Sequence, residues 1–261
     1  MQALKIAATG MAAQQMRVDV TANNIANMST NGFNPRRAEF ADLHYQQVRG
    51  PGAVQAGTGE ILPAGIQIGL GVRPAAVAME VGQGAARETG GDLDLMIEGA
   101  GYFEIQLPSG ETAYTRDGAF KLSADGEVVT SDGFALVPGI TVPEDARELV
   151  INADGTVYAR FQDQVALQQI GEVTLASFVN QKGLEAIGDN LFRETEASGE
   201  PLIGDPGTEG RGFLRQAYLE DSSVDVVSEI TEMIEAQRGY ELNSQVLKTA
   251  DEMLSTASRL R

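Results

Sequence analysis

The chain has 261 residues, no cysteine, one histidine (His44) and a formal net charge of −18, from 37 acidic and 19 basic side chains. This composition excludes disulfides, thiolate nucleophiles and the usual zinc sites built from cysteine or several histidines. The excess of carboxylates repels phosphate, which argues against nucleic acid and anionic membranes as partners.

The first predicted element is a helix over residues 3–28, a stretch without proline and with Gly10 as its only glycine. Large apolar residues recur in it at the seven-residue spacing of a coiled-coil seam. These residues are Leu4, Met11, Val18 and Ile25. Gly32 and Pro35 follow, and they predict that the helix ends before this point.

A segment rich in chain-breaking residues comes next. Residues 49–74 hold seven glycines and three prolines, which predicts looped or extended structure. We assign a connecting segment to residues 34–75.

The middle of the chain, residues 76–223, is predicted to be a mostly antiparallel β domain. Short β-forming runs alternate there with Asp-Gly or Ser-Gly pairs, a pattern typical of hairpins. The glycines of these pairs are Gly110, Gly118, Gly126, Gly133 and Gly155. This domain has 26 acidic and nine basic residues, so it carries nearly all of the net charge.

The last predicted element is a long helix over residues 224–261, with Ser222 or Ser223 as its N-cap. Its large apolar residues again recur every seven positions, and mostly small residues stand three positions further on. The large residues are Met233, Tyr240, Leu247 and Leu254, with Val226 before them. A second apolar stripe consists of Val227, Ile230 and Ile234.

The two terminal helices admit two interpretations. They could form an intramolecular hairpin that packs on the rest of the chain, or they could also pack against copies of themselves. The second stripe lies beside the first, and together they form an apolar surface wider than one partner helix requires. We therefore expect the helices to pack against further copies of the chain. The predicted fold is α+β, in which residues 1–33 and 224–261 form a coiled-coil-like terminal domain beside the β middle domain.

Nothing in the sequence marks an active site, and we predict no catalytic residue, no cofactor and no metal. His44 lies in no recognisable catalytic motif, and the four lysines are scattered along the chain. The sequence contains no run of about 18 apolar residues, so no membrane-spanning helix is predicted. Gln14 and Arg17 interrupt the apolar stretch that a cleavable signal peptide needs, so none is predicted.

Two motifs on the predicted helices resemble the signatures of the bacterial flagellar rod and hook family. Residues 22–33 (ANNIANMSTNGF) are similar to its N-terminal signature, and residues 233–244 (MIEAQRGYELNS) to its C-terminal one. The matching residues are Asn23, Asn24, Asn27, Gly32, Phe33, Gln237, Arg238, Tyr240 and Asn243. Residues 99–103 and 114–120 also resemble the β domain of the longer members. One departure is Gly239, where relatives often have alanine; it costs a helix about 1 kcal/mol unless close packing uses it.

The resemblance implies a structural subunit and no enzyme. In length the chain falls between the short proximal rod members and the longer hook member, and residues 62–74 resemble a segment of the distal rod. Such a subunit polymerises helically with itself into a rigid hollow shaft, which transmits torque to the hook and is part of the export channel. The implied partners are proximal rod proteins, the hook protein, the outer ring bushing proteins and the flagellar type III export apparatus.

The implied location is the basal-body rod, which spans the periplasm toward the outer membrane, reached without a cleaved signal peptide. Under this hypothesis the packing residues are the eight large apolar residues of the two seven-residue rows. The glycine-rich part of the connecting segment, residues 46–75, is expected to act as a strap between subunits that stiffens the rod. Two alternatives stay open. One is a neighbouring rod or hook subunit, and the other is a monomeric secreted, acidic, β-rich enzyme or binding protein.

Overall fold

The computed structural model describes residues 2–49, 65–161 and 166–259. Among these residues the predicted α+β class is confirmed, with a helix near each end and mostly antiparallel β-structure between them. Helix α1 spans Gln2–Ala26 and helix α2 spans Val226–Arg259. The described residues form two compact units. We call Met1–Ile25, Arg36–Ala78 and Asp225–Arg261 the terminal unit, and Ala26–Pro35 with Met79–Val224 the β unit.

Both helices and four strands lie in the part of the terminal unit that the structure describes. The strands are β1 (Arg36–Asp42), β2 (Tyr45–Arg49), β3 (Ile66–Gly69) and β4 (Val72–Met79). Strand β1 pairs with β4, and β2 pairs with β3 in antiparallel fashion. The backbone N–H of Val72 donates a hydrogen bond to Oγ1 of Thr9, which joins β4 to α1. Much of the predicted strap, residues 50–64, lies outside the described residues.

The two helices pair antiparallel through small side chains. A Cβ atom placed on Gly10, near the start of α1, would lie 3.0 Å from Oδ1 of Asn243, late in α2. Near the other ends, Nδ2 of Asn24 donates to Oε1 of Glu229 over 3.0 Å. Ala7 and Ala236 are buried on this contact side of their helices. We call this contact the small-residue seam, and it allows the two backbones to approach closely.

Gly239 belongs to the same seam. A Cβ atom at this position would lie 3.1 Å from Cδ of Gln14 on α1, a separation tighter than ordinary van der Waals contact. The glycine therefore gives room for the partner helix. The close packing that results offsets the cost of about 1 kcal/mol that glycine has relative to alanine inside a helix.

The predicted N-cap of α2 was wrong, because Asp225 takes that position. Its Oδ1 accepts the N–H of Val227 over 3.0 Å, and its Oδ2 accepts the hydroxyl of Ser228 over 2.8 Å. Ser222 and Ser223 instead direct their hydroxyls to the carbonyl oxygen of Phe33. Aspartate caps better here because it stands directly before the first helical residue, whereas the serines lie too far upstream.

The Asp225 cap predicts a pH-dependent helix start. Hydrogen bonds from Ser228 and Val227 hold the pKa of the Asp225 carboxyl below its ordinary value of 3.8. The stabilisation is therefore complete above that ordinary value and is lost as the pH falls through the lowered one. We expect amide exchange in the first turn of α2 to accelerate on this acid limb. Asp225→Asn keeps a capping side chain but cannot titrate, so it should flatten the limb; an unchanged limb in that variant would contradict the assignment.

In its described part, residues 26–35, 79–161 and 166–224, the β unit contains sixteen strands and one short 3₁₀ turn, Gln181–Gly183. The strands are β5 (Ala86–Glu88), β6 (Leu95–Glu98), β7 (Phe103–Gln106), β8 (Thr112–Thr115), β9 (Lys121–Leu122), β10 (Val128–Val129), β11 (Ala135–Val137), β12 (Ala146–Ile151), β13 (Thr156–Phe161), β14 (Gln168–Glu172), β15 (Leu175–Ser177), β16 (Glu185–Gly188), β17 (Leu191–Arg193), β18 (Leu202–Gly204), β19 (Phe213–Gln216) and β20 (Tyr218–Glu220).

Seven of these strands form one antiparallel sheet in the order β16-β17-β8-β7-β11-β10-β9. Strands β12, β13 and β14 form a second sheet, and β15-β18, β19-β6 and β20-β5 are two-stranded pairs. One apolar core joins the sheets, and Ile97, Phe103, Ile105 and Leu175 are fully buried in it. Burial of these alternate side chains explains why the middle of so acidic a chain still folds.

Four of the five predicted turn glycines connect neighbouring antiparallel strands, and Gly118 does not. Gly118 lies between β8 and β9, which are not adjacent in the sheet. Its carbonyl oxygen accepts the N–H of Leu95, and a Cβ at this glycine would lie 1.6 Å from the Leu95 carbonyl oxygen. The glycine is therefore needed for a close approach of two backbones. An Asp-Gly pair looks the same in the sequence whether it forms a hairpin turn or allows such a contact.

Candidate functional site

The structure brings predicted packing residues of both helices to one surface of the terminal unit. Val18 of α1 and Tyr240 of α2 line a groove of about 410 Å³, together with Gln15, Gln237 and Glu241. Val18 stands in one seven-residue row with Met11 and Ile25, which directly follow Gly10 and Asn24 of the seam. Tyr240 likewise directly follows Gly239. In a pair of antiparallel right-handed helices, the residue that follows a contact residue lies on the same side of the pair in both helices. The two rows of large residues therefore lie side by side.

The described residues of the chain cover these rows only partly. Tyr240 is 44% exposed and Leu254 is 42% exposed, while the other six residues are half-buried. The half-buried residues are Leu4, Met11, Val18, Ile25, Met233 and Leu247. The small-residue seam makes the contact between the helices, so the large side chains remain available beside it. We call this surface the row face.

A second apolar surface lies on α2. Val227 is 74% exposed, and Ile230 and Ile234 are 47% and 46% exposed. At 3.6 residues per turn, Val227 and Ile234 fall on the side of α2 opposite the fully buried Ala236. The predicted second stripe thus points away from the seam, where α1 does not cover it.

The family-motif residues of the helices have two different placements. Asn24 is buried, and its side chain accepts the N–H of Arg36 and donates to the Arg36 carbonyl, each over 2.9 Å. Asn243 is half-buried against Gly10 and donates to the Gly239 carbonyl. The remaining motif residues are exposed on the helices: Asn23, Gln237, Arg238 and Tyr240.

The other motif residues lie in the β unit and shape a turn. Oδ1 of Asn27 accepts the hydroxyl of Thr30, and the Phe33 carbonyl accepts the N–H of Ser223. Gly32 has φ of +62°, and a Cβ there would lie 2.8 Å from the carbonyl oxygen of Arg116. Glycine is required at this position by both its backbone conformation and its close neighbour.

A buried ion pair adjoins this turn, and no role for it was predicted from the sequence. Nε of Arg116 donates to Oε2 of Glu220 over 2.7 Å, and both side chains are at most 5% exposed. The same guanidinium donates to the carbonyls of Gly101 and Gly99, and Oε1 of Glu220 accepts the N–H of Gly84. The available signal was an arginine inside a β-forming run, since such a residue must find a partner when it is buried.

Tyr102 is buried near this pair. Burial raises the pKa of its hydroxyl, and the Glu220 carboxylate raises it further while Arg116 opposes the shift. The side chain stacks edge-on against Phe178 and Phe192. Tyr102 therefore stays neutral and serves packing.

The described residues offer no group of histidine, aspartate and glutamate side chains arranged to hold a metal ion. His44 is exposed between β1 and β2. Within the same parts of the chain, neither helix is long and apolar enough to cross a membrane.

Three protein-family models match the chain. "Flagella basal body rod protein" matches residues 4–34, "Flagellar hook protein FlgE/F/G D1 domain" matches residues 96–159, and "Flagellar basal body rod FlgEFG protein C-terminal" matches residues 215–260. The first and last matches cover most of α1 and α2, and the middle one covers β-structure of the β unit. The class of protein is thus a flagellar rod or hook protein.

Similarity to curated proteins narrows this class. The chain is 51% identical to the flagellar basal-body rod protein FlgG of Caulobacter vibrioides over 100% of both chains. It is 48% identical to FlgG of Agrobacterium fabrum over 99% of both. The flagellar hook protein FlgE of Escherichia coli is 41% identical over only 46% of this chain and 29% of its own. The chain therefore belongs to the FlgG family of flagellar basal-body rod proteins.

Proposed function

We propose that the chain is a structural subunit of the flagellar distal rod and polymerises helically through the row face. The observation that carries this proposal is the groove in which Val18 of α1 and Tyr240 of α2 meet. Large apolar side chains on a soluble surface mark an interaction site when they are contiguous. Here they come from both ends of the chain, and the seam between the helices does not use them.

The energetics favour a partner of the same chemistry. Complete burial of a large apolar side chain contributes about 1.5–3 kcal/mol, and the row face has eight such side chains, each partly exposed. Their burial is comparable with the cost of association, about 4–15 kcal/mol. A second copy presents the same apolar rows, so polymerisation supplies the partner. The seven-residue spacing supports coiled-coil-like packing between helices of neighbouring copies.

The proposal extends to the arrangement of the polymer. The predicted core segments, residues 1–33 and 224–261, would form its inner layers, and the acidic domain of residues 76–223 would face outward. The segment of residues 34–75 would connect them. Like charges are then kept away from the tightly packed interior. Such a shaft would transmit torque, enclose the export channel, and contact proximal rod proteins, the hook protein and the outer ring bushing in the basal body.

Double substitution in the groove tests this function. Val18→Asp with Tyr240→Asp places two carboxylates in the proposed contact, so we expect polymer to be lost from concentrated purified protein. Electron microscopy and sedimentation measure the loss. The matched control, Val18→Ile with Tyr240→Phe, keeps the apolar surface and should polymerise like the unmodified chain. Circular dichroism of both monomers checks that the fold persists.

Two results would contradict the proposal. Straight filaments formed equally well by the aspartate variant would show that the groove is not a subunit contact. A wild-type chain that remains monomeric at high concentration, both alone and with preformed rod, would favour the alternative of a monomeric acidic β-rich protein. The alternative that the chain is a neighbouring rod or hook subunit is tested by deleting its gene. Loss of a distal rod subunit should stop assembly after the proximal rod has formed.

A further inference from the structure

An arginine-lined pocket on the terminal unit has no role in the packing described above. The pocket has a volume of about 240 Å³ and lies where α1, α2 and strand β1 meet. Arg17, Arg36 and Arg37 line it, and Glu232 is the only carboxylate among its lining residues. Nη2 of Arg17 is 3.8 Å from Oε2 of Glu232, a long and half-exposed ion pair. The lining therefore carries three guanidinium groups and one carboxylate.

The backbone beside the pocket is held in place. The buried side chain of Asn24 bonds both the N–H and the carbonyl of Arg36 over 2.9 Å. These two bonds fix the start of β1 against α1, so the guanidinium of Arg36 is carried on a rigid base. Such preorganisation lowers the entropy cost of binding an anionic group.

The walls of the pocket are apolar as well as basic. Val20, Ala38 and Phe40 complete its lining. An acidic side chain has both a methylene stem for the apolar wall and a carboxylate for the arginines, whereas a small inorganic anion gains nothing from the apolar part. Guanidinium and carboxylate groups match in geometry and form strong charge-assisted hydrogen bonds.

The distribution of charge indicates where that side chain comes from. The terminal unit has 11 acidic and ten basic residues, whereas the β unit has 26 acidic and nine basic residues. The terminal unit is therefore nearly neutral, and the β unit holds most of the carboxylates that a basic pocket on a neighbouring copy could bind. Pairing of opposite charges helps to fix the register of an interface.

We propose that the arginine-lined pocket binds a glutamate or aspartate side chain from the β unit of a second copy of this chain. The contact rests on the proposed polymerisation and adds to it a directional link between the two kinds of unit. The row face supplies apolar contact area, and the pocket sets which part of a neighbour lies next to it.

Cross-linking identifies the occupant. In the Arg36→Lys variant a carbodiimide can join the new amine to a carboxylate in direct contact. Polymer is assembled from an equal mixture of ¹⁴N- and ¹⁵N-labelled subunits of this variant, and the cross-linked peptides are analysed by mass spectrometry. We expect mixed-isotope peptides that join position 36 to an acidic residue within residues 79–224. Cross-links only to Glu232, cross-links to α2 of the neighbour, or none at all would overturn the proposal.

Assembly measurements supply the second test. We expect Arg17→Gln with Arg36→Gln to raise the critical concentration for polymerisation about fivefold at low salt and to weaken its salt dependence. Arg73→Gln is the control, because Arg73 is exposed on β4 and does not line the pocket; this change should move the critical concentration much less. Equal critical concentrations for the pocket variant and the wild type would overturn the inference.

Titration of the monomer with citrate tests whether the pocket instead binds a small free anion. Saturable binding of citrate, blocked by the same two glutamine substitutions, together with unchanged assembly would show a small-anion site and overturn the inference. Failure of the inference is distinguishable from failure of the proposed function. In the first case the wild type polymerises and depends on Val18 and Tyr240 but not on Arg36, and in the second case the wild type does not polymerise.

Discussion

Replacement of Arg116 by alanine is expected to destabilise the β unit by about 3–5 kcal/mol, because it leaves the Glu220 carboxylate buried without its ion-pair partner. The same change removes donors from the carbonyls of Gly99 and Gly101. Chemical denaturation followed by tyrosine fluorescence measures the loss. An effect under about 1 kcal/mol would show that water reaches the pair and that it is not a buried anchor.

The exposed pair between Arg160 and Glu148 provides the control for this measurement. Its nitrogen–oxygen distance of 2.8 Å is similar, but both side chains are 49% exposed. Arg160→Ala should therefore cost about 0–1 kcal/mol. Replacement of both buried partners, with Arg116→Met and Glu220→Leu, should recover part of the lost stability, since no charge then remains buried.

The loss of Arg116 also has an expected structural location. The Glu220 carbonyl accepts the N–H of Gly32 over 2.8 Å, and Gly32 packs against the Arg116 backbone. We therefore expect faster amide exchange at Gly32 in the Arg116→Ala protein than in the Arg160→Ala protein. This difference would show that the ion pair holds the turn of residues 26–35 to the end of β20.

Replacement of Ala236 by leucine is expected to cost about 1–3 kcal/mol, because overpacking a close contact forces the two backbones apart. Ala236 is fully buried, and Gly239 in the next turn admits Gln14 at short range. Denaturation followed by far-ultraviolet circular dichroism reports the helices of the terminal unit. Since separation of the helices displaces the two rows from each other, polymerisation should weaken in the same variant.

Ala12→Leu serves as the matched control. Ala12 is exposed on α1 and the substitution adds the same side chain, so its effect on monomer stability should remain within about 0.5 kcal/mol. Equal losses of stability in the two variants would contradict a specific role for the small-residue seam.

Both predictions concern features that the sequence displayed only in part. The seven-residue spacing of large residues was visible in α1 and α2, with mostly small residues three positions further on in α2, and the second apolar stripe of α2 was attributed to assembly. Which row would make the intramolecular contact was not visible, because a helical period identifies faces but not their partners. The structure assigns that contact to Ala7, Gly10, Ala236, Gly239 and Asn243, so the large residues lie beside it.

Local signals succeeded where neighbours in sequence determine the outcome. The two helices, the β character of the middle and four turn glycines depend on propensity and turn chemistry within a few residues. The helix ends differ slightly from prediction, since α1 ends at Ala26 and not at residue 28, and α2 begins at Val226 and not at residue 224. The N-cap of α2 was predicted at Ser222 or Ser223, but Asp225 stands directly before the first turn and takes that position. The prediction of a hairpin turn at Gly118 was wrong because this glycine is required by its contact with Leu95, which lies 23 residues earlier in the chain.

An α+β chain with helical ends, an acidic β middle and the motifs of the flagellar rod and hook family could be predicted from the sequence. These properties follow from composition, spacing and short-range chemistry. Tertiary structure alone decided that Arg116 meets Glu220, that Asn24 anchors Arg36, and that Arg17 and Arg36 share a pocket. Each of these contacts joins residues from different elements, and the distance between two elements in space is a product of the whole packed core.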